Sequence, residues 1–135
     1  MPSESTLAAA PEKSAAARWT LPAVWVVVIL IGTSWPAIRV GADGLGLDKL
    51  AHFTAYSVLS ALVLRATRTP FAWPTFARVA IAVSLFGMVD EWHQSFIPGR
   101  SMSFADWIAD SFGALVGPLA VRFVPILAPS RDASI

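Results

Sequence analysis

The feature that most constrains this chain is a series of four apolar segments, each close to the roughly 20 residues that an α-helix needs to cross a bilayer. The segments are residues 21–38, 49–66, 76–96 and 104–124. They show no alternation at period two, and an open sheet would leave backbone groups unsatisfied in lipid, so helices are favoured over strands. The sequence therefore predicts an all-α, polytopic membrane protein built as a bundle of four transmembrane helices.

The composition agrees with lipid as the surrounding solvent. Of the 135 residues, 56% are hydrophobic and only 14% are charged, whereas soluble domains carry about 25% charged residues. The formal net charge is +1 and no basic cluster is visible, so we expect no nucleic-acid partner. Cysteine is absent, which excludes disulfides, thiolate metal sites and a cysteine nucleophile.

The chain divides into one membrane domain and two tails. Residues 1–20, rich in Ala, Ser, Glu and Pro, are expected to form a flexible cytoplasmic tail. Residues 21–124 form the four-helix domain, and residues 125–135 form a short cytoplasmic tail. Lys13 and Arg18 precede the first apolar segment as they would in a signal peptide, but no clear cleavage site follows, so we expect the segment to be retained.

The distribution of lysine and arginine predicts the orientation in the membrane. With an inward N-terminus, the cytoplasmic set is Lys13, Arg18, Arg65, Arg68, Arg78, Arg122 and Arg131. The outer set is Arg39, Lys49 and Arg100. The imbalance favours both termini in the cytoplasm, and an outward N-terminus is the alternative.

Apart from those in the tails, the acidic residues gather at the end that this orientation places outside. They are Asp43, Asp48, Asp90, Glu91, Asp106 and Asp110. Ionisable groups inside membrane helices are expensive and point to a functional site by default. We therefore predict a polar site at the extracytoplasmic end of the bundle.

Helical spacing assigns the polar groups of the second segment to one stripe. Asp48, His52 and Tyr56 recur every four residues and lie within an arc of about 80°. Lys49 points elsewhere and is expected to reach for the membrane interface.

On the third segment, one face carries three polar residues. Asp90, His93 and Gln94 share this face through their i, i+3 and i+4 spacing, and Glu91 lies about 100° away.

The fourth segment combines acids with small residues. Asp106, Asp110, Gly113 and Gly117 share one face, and Ser103 is a candidate N-cap. Glycines four residues apart let another helix approach closely, so this face should look into the bundle. A homo-oligomer through the Gly113 and Gly117 face is an open alternative.

Three interpretations fit these polar residues. His52 and His93 could join carboxylates in binding a divalent metal, although their spacing is no metal signature and no other cofactor is predicted. Glu91 or Asp90 could act as a general base, with a histidine as proton relay. A structural network could instead fix the helix register, with Arg100 as counter-charge. No serine elbow or Gly-rich phosphate loop is present.

Two stretches resemble the VanZ-like family. They are DKLAHFTAYSVLSALVL, residues 48–64, and DEWHQSFIPGRSMSFADWIADSFGALVG, residues 90–117. The family pattern reads DK-x-x-HF-x-x-Y, then DE-x-x-Q-x-F-x-PGR, then D-x-x-x-N-x-x-G-x-x-x-G, and TSWP in the first segment resembles its serine–proline turn. Asp110 stands where the family usually has Asn, and His93 is not expected at its position.

The resemblance implies a small protein of the bacterial inner membrane, in a family named for a member associated with low-level resistance to the glycopeptide teicoplanin. The polar positions that match the family pattern are Asp48, Lys49, His52, Tyr56, Asp90, Glu91, Gln94, Arg100, Asp106 and Asp110. We expect the site to bind an anionic cell-envelope lipid or a polyprenyl-phosphate precursor, with Arg100 and Lys49 holding the anion. An enzyme acting on such a lipid and a structural or partner-binding subunit are the alternatives.

Overall fold

Four helices account for most of the residues that the structure describes. The computed structural model describes residues 15–36 and 46–123. The helices are α1 (Ala15–Ser34), α2 (Leu47–Thr67), α3 (Trp73–Gln94) and α4 (Phe104–Phe123). The described residues contain no strand, and the all-α prediction is confirmed.

The first helix differs most from its predicted boundaries. It begins at Ala15, so residues 15–20, which were predicted to belong to the N-terminal tail, are helical. It ends at Ser34 because Pro36 disfavours helical backbone at the preceding residue, Trp35. The predicted end of this segment, residues 37–38, lies outside the described residues.

The other helices agree more closely with the sequence. α3 starts at Trp73 instead of residue 76, since Pro74 is tolerated in a first turn, where its missing N–H is not needed. It ends at Gln94, and a tight turn follows in which Gly99 adopts a φ of 79°. α4 begins at Phe104, as predicted.

Helices α2 and α4 run in the same direction through the bundle. Lys49 and His52 at the start of α2 contact Asp106 and Asp110 at the start of α4. Further along, Gly117 of α4 lies against the second half of α2. The two helices are therefore parallel neighbours, and both begin at the same end of the bundle.

Three helices, α1, α2 and α4, are long and apolar enough to cross a membrane. α3 is not among them, since it carries Arg78, Asp90 and Glu91. The parallel arrangement nevertheless requires α3 to return the chain from the end of α2 to the start of α4. At about 1.5 Å per residue, its 22 residues are long enough for the roughly 30 Å of a hydrocarbon core. The predicted bundle of four spans follows from this topology.

Helix α1 runs antiparallel to α2 and reaches the polar end with its last turn. The indole nitrogen of Trp25 donates a hydrogen bond to the Ala55 carbonyl of α2 at 2.9 Å. Near the end of α1, Thr33 contacts Asp90 of α3. The start of α1 and the end of α4 therefore lie at the same end of the bundle, opposite the acids.

The glycines of α4 allow a very close approach to α2. A Cβ atom on Gly113 would collide with the Phe53 carbonyl, and one on Gly117 would collide with the Ser57 carbonyl and the Ser60 hydroxyl. The glycine face therefore looks into the bundle, as its pattern predicts. In this chain α2 covers the glycine face, and a homo-oligomer through the Gly113 and Gly117 face stays an open alternative.

Large apolar side chains cover the outside of the bundle. Val24, Ile31, Ile81, Leu85 and Phe112 are examples with more than a third of their surface exposed. Such a surface suits lipid chains, because water would disfavour a contiguous apolar area of this kind.

We predict that Gly117→Ala destabilises the bundle by roughly 1–3 kcal/mol, because the added methyl group must push α4 away from the backbone of α2. Gly32→Ala is the matched control, since a Cβ at Gly32 meets no atom within 4 Å. Thermal unfolding in detergent, followed by circular dichroism, measures both. Equal midpoints for the two variants would contradict the packing described.

Candidate functional site

The buried polar side chains at one end of the bundle form a single group. This polar cluster consists of His52, Asp90, Glu91, Gln94, Asp106 and Asp110. It lies where α1 and α3 end and where α2 and α4 begin. The structure therefore brings together most of the residues that the sequence singled out.

The centre of the polar cluster is a contact between a histidine and two carboxylates. The Nδ1 atom of His52 lies 2.9 Å from Oδ1 of Asp110 and 3.7 Å from Oε1 of Glu91. All three residues are buried, and each comes from a different helix. Either His52 Nδ1 donates to an ionised Asp110, which can only accept, or a protonated Asp110 donates to Nδ1.

Glu91 uses both of its oxygens within the chain. Oε1 accepts a hydrogen bond from the side-chain amide of Gln94 at 3.1 Å. Oε2 accepts one from the backbone N–H of Ser103 at 2.7 Å. Ser103 is the N-cap of α4, because its hydroxyl accepts from the N–H of Asp106 at 3.2 Å. Glu91 of α3 thus accepts the backbone N–H of the N-cap residue of α4. In a capping box, a side chain of the capped helix itself usually accepts this N–H.

Asp90 is held by hydroxyl groups from two other helices. The Tyr56 hydroxyl donates to Oδ2 at 3.0 Å, and the Thr33 hydroxyl donates to Oδ1 at 2.9 Å. Asp90 is almost fully buried. These bonds join α1, α2 and α3 at one carboxylate.

Lys49 and Asp48 form the rim of the polar cluster on α2. The Lys49 ammonium lies 3.1 Å from Oδ1 of Asp106, and its side chain is 52% exposed. Lys49 therefore forms an ion pair with Asp106, a contact that its predicted position at the membrane interface does not imply. The Asp48 side chain is 65% exposed, and its Oδ1 lies 4.0 Å from Nε2 of His52.

Arg100 contacts the end of α1 and makes no ion pair with the acids in the described residues. Its guanidinium donates to the carbonyl oxygens of Trp35 at 3.0 Å and Gly32 at 3.3 Å, and to Oε1 of Gln94 at 2.8 Å. The last carbonyls of a helix lack partners within the helix, and a cation is favourable there. Arg100 therefore caps α1 and does not serve as the counter-charge that one interpretation gave it.

His93 stands apart from the polar cluster. It is only half-buried, and its Nδ1 has no hydrogen-bond partner among the described residues. The spacing that placed it beside Asp90 therefore does not bring it to the other titratable groups.

Asp110 is the residue with the most unusual surroundings. It is completely buried, and its Oδ2 has no hydrogen-bond partner among the described residues. Gly87 of α3 makes room for it, since a Cβ there would lie 3.0 Å from this oxygen and 3.1 Å from the Tyr56 ring. A buried carboxylate oxygen without a donor is energetically unfavourable.

Two residues and one role at this end of the bundle are not apparent from the sequence. Thr33 belongs to TSWP, yet its bond to Asp90 was not expected, and Gly87 was not singled out. Gly87 precedes Asp90 by three residues, so helical spacing alone could have placed it on the same face. The bond from the N–H of Ser103 to Glu91 joins two helices, and no local pattern signals it.

The arrangement supports two kinds of chemistry. One ligand atom from each of His52, Glu91 and Asp110 lies within 4.8 Å of the others, and the same holds for Asp48, His52 and Asp106. Either group has the donor types that bind divalent cations. The imidazole between an exposed and a buried carboxylate is also suited to proton transfer.

We predict that Thr33→Val lowers the free energy of unfolding by about 1–3 kcal/mol, because Asp90 would lose one of its two hydroxyl donors. Thr54→Val is the control: the Thr54 hydroxyl is exposed and bonds only its own helix at Leu50. That change should cost less than about 0.5 kcal/mol. Denaturant unfolding in detergent measures both, and a Thr33→Val effect as small as that of the control would contradict the role given to Asp90.

Comparison with known proteins agrees with the motifs and the fold. The VanZ/LLP1 family model matches residues 3–125. No curated protein and no solved structure matches the chain. The family match covers all four helices, and it is consistent with a multi-pass membrane protein from a family linked to resistance. The chain belongs to the VanZ/LLP1 family.

Proposed function

We propose that this protein binds the anionic headgroup of a cell-envelope lipid, or of a lipid-linked precursor, at the polar end of the bundle. The observation that carries the proposal is a half-exposed ammonium, Lys49, at the rim of a buried polar cluster. Ionisable groups at membrane depth are expensive and usually serve a ligand or a proton. Such a site would face the layer in which lipid headgroups lie.

The charges at the opposite end support an outward orientation of the site. Within the described residues, the cations away from the polar end are Arg18, Arg65, Arg68, Arg78 and Arg122. Arginine and lysine are enriched on the cytoplasmic side of membrane proteins. The polar end would then face away from the cytoplasm of a bacterial inner membrane, with the ends of α1 and α4 directed inward.

The geometry favours Lys49 over Arg100 as the main anion contact. The Lys49 ammonium uses one of its N–H groups on Asp106 and keeps the others for a ligand. The Arg100 guanidinium already donates to the Gly32 carbonyl of α1, to the Trp35 carbonyl just after α1 and to Gln94. Arg100 would therefore position the loop beside the ligand, and only its remaining N–H groups could contact an anion.

A second candidate function is acid–base catalysis on the bound lipid. His52 favours it, because the imidazole has Nε2 near the exposed Asp48 and Nδ1 near the buried Asp110 and Glu91. A proton could pass through the ring between a group at the surface and groups inside. In this candidate Glu91 or Asp110 would be the base, and Lys49 would hold the substrate.

The link to resistance would be indirect. Lipophilic glycopeptides act close to the outer surface of the inner membrane, where the proposed site would lie. A protein that binds or alters envelope lipids there could change sensitivity to such compounds.

We predict that Lys49→Gln weakens binding of phosphatidylglycerol and of a polyprenyl phosphate about fivefold. The reason is that one cation near an anionic headgroup contributes about 1 kcal/mol. Arg78→Gln is the matched control, since it removes one exposed positive charge at the other end of the bundle. Native mass spectrometry of the detergent-purified chain measures both, with phosphatidylcholine as the neutral-headgroup reference.

Equal loss of lipid in the two variants would argue against a headgroup site at the polar end. So would equal binding of phosphatidylglycerol and phosphatidylcholine by the unmodified chain. Consumption of the added lipid, seen as a change in its mass, would favour the catalytic candidate over simple binding.

A further inference from the structure

We propose that His52, Glu91 and Asp110 form a binding site for one divalent transition-metal ion. Their ligand atoms lie within 4.8 Å of one another, and all three residues are buried. Each of the helices α2, α3 and α4 contributes one of them. The site is therefore created by the folded bundle and does not exist in any single segment.

The distances suit a shared ion. Ligands that bind one ion at about 2.1 Å are separated by about 3.0–3.5 Å. The Nδ1 atom of His52 lies 2.9 Å from Oδ1 of Asp110 and 3.7 Å from Oε1 of Glu91. Small side-chain movements would place all three atoms around a common centre, with the ion replacing the proton of the short contact.

The charge of Asp110 gives a second and independent reason. Its Oδ2 is buried and has no hydrogen-bond partner among the described residues. The ammonium of Lys49 is paired with Asp106, and the guanidinium of Arg100 is bonded to Gln94 and the end of α1. A buried carboxylate needs a compensating positive charge or a proton. A divalent ion bound by Glu91 and Asp110 supplies that charge.

The neighbouring group of Asp48, His52 and Asp106 is less suited to hold the ion. Asp106 already has a cationic partner in Lys49, and the Asp48 side chain is 65% exposed.

The ligand types indicate the class of metal. One imidazole and two carboxylates suit Mn²⁺, Fe²⁺ or Zn²⁺, and the chain has no thiolate for softer ions. This inference does not depend on lipid binding, since it uses neither Lys49 nor a headgroup.

Titration of the purified full-length chain with Mn²⁺, followed by electron paramagnetic resonance, tests the proposal. We expect one ion per chain and a pulsed-resonance signal from a coordinated imidazole nitrogen. The chain contains two histidines, His52 and His93, so any such signal in His93→Gln must come from His52. His52→Gln should abolish it.

Carboxylate variants test the rest of the ligand set. Glu91→Gln and Asp110→Asn should each weaken Mn²⁺ and Zn²⁺ binding by at least about 100-fold. Loss of a residue that only hydrogen-bonds to a ligand weakens binding by at most about that factor, so a larger loss indicates a direct ligand. Asp48→Asn, the control at the rim, should bind nearly as well as the unmodified chain. Circular dichroism checks the helical content of each variant.

Several results would overturn the proposal. The unmodified chain could bind neither Mn²⁺ nor Zn²⁺ stoichiometrically, which would leave a proton as the partner of Asp110. His93→Gln could bind the ion without any nitrogen coupling. Asp48→Asn could lose the ion while Glu91→Gln and Asp110→Asn retain it. The first two results remain decisive even if the variants at buried positions fail to fold.

Discussion

The close contact between α4 and the backbone of α2 sets the geometry of the whole polar end. Gly113 and Gly117 let the two helices touch without side chains between them, and the helices run in parallel. Two helix N-termini therefore lie side by side, and their partial positive charges favour acidic groups nearby. These charges favour Asp106, which lies in the first turn of α4, whereas Asp110 lies a turn deeper in the helix. The parallel arrangement of α2 and α4 also requires α3 to cross the same thickness of membrane as its neighbours.

Part of the polar cluster serves the helix ends. Glu91 completes the cap of α4 through Ser103, and Arg100, beside the polar cluster, binds the carbonyls of Gly32 and Trp35 at the end of α1. Backbone groups at the end of a membrane helix need such partners, because lipid supplies none. Capping does not explain the buried contact of His52 with Asp110 or the unpartnered oxygen of Asp110. Those two residues are therefore the strongest argument for a ligand beyond structural stabilisation.

The sequence predicted the helices and their inward faces well, because apolar length, glycine spacing and the N-cap at Ser103 are local signals. It could not predict which atoms a long side chain reaches across the bundle, and so it missed the contact of Lys49 with Asp106 and the contacts of Arg100 at the end of α1. His93 shows a further limit. Helical spacing places His93 and Glu91 on opposite sides of Asp90. Their rotations about the helix axis from Asp90 are about −60° for His93 and about +100° for Glu91. The positions of α2 and α4 determine that the buried side of α3 includes Glu91 and leaves His93 outside the polar cluster. The contact of Thr33 with Asp90 likewise depends on where α1 packs.

In the proposed orientation, the polar end of the bundle opens toward the extracytoplasmic surface. The absence of cysteine makes a direct measurement simple, since a single introduced thiol is the only one in the chain. Asp48→Cys places it at the exposed rim of the polar cluster, and Arg78→Cys places it at the other end. A membrane-impermeant maleimide, added to intact bacterial cells, should label Asp48→Cys at once and Arg78→Cys only after permeabilisation. The reverse pattern would place the polar cluster on the cytoplasmic side and contradict the proposed site for envelope lipids.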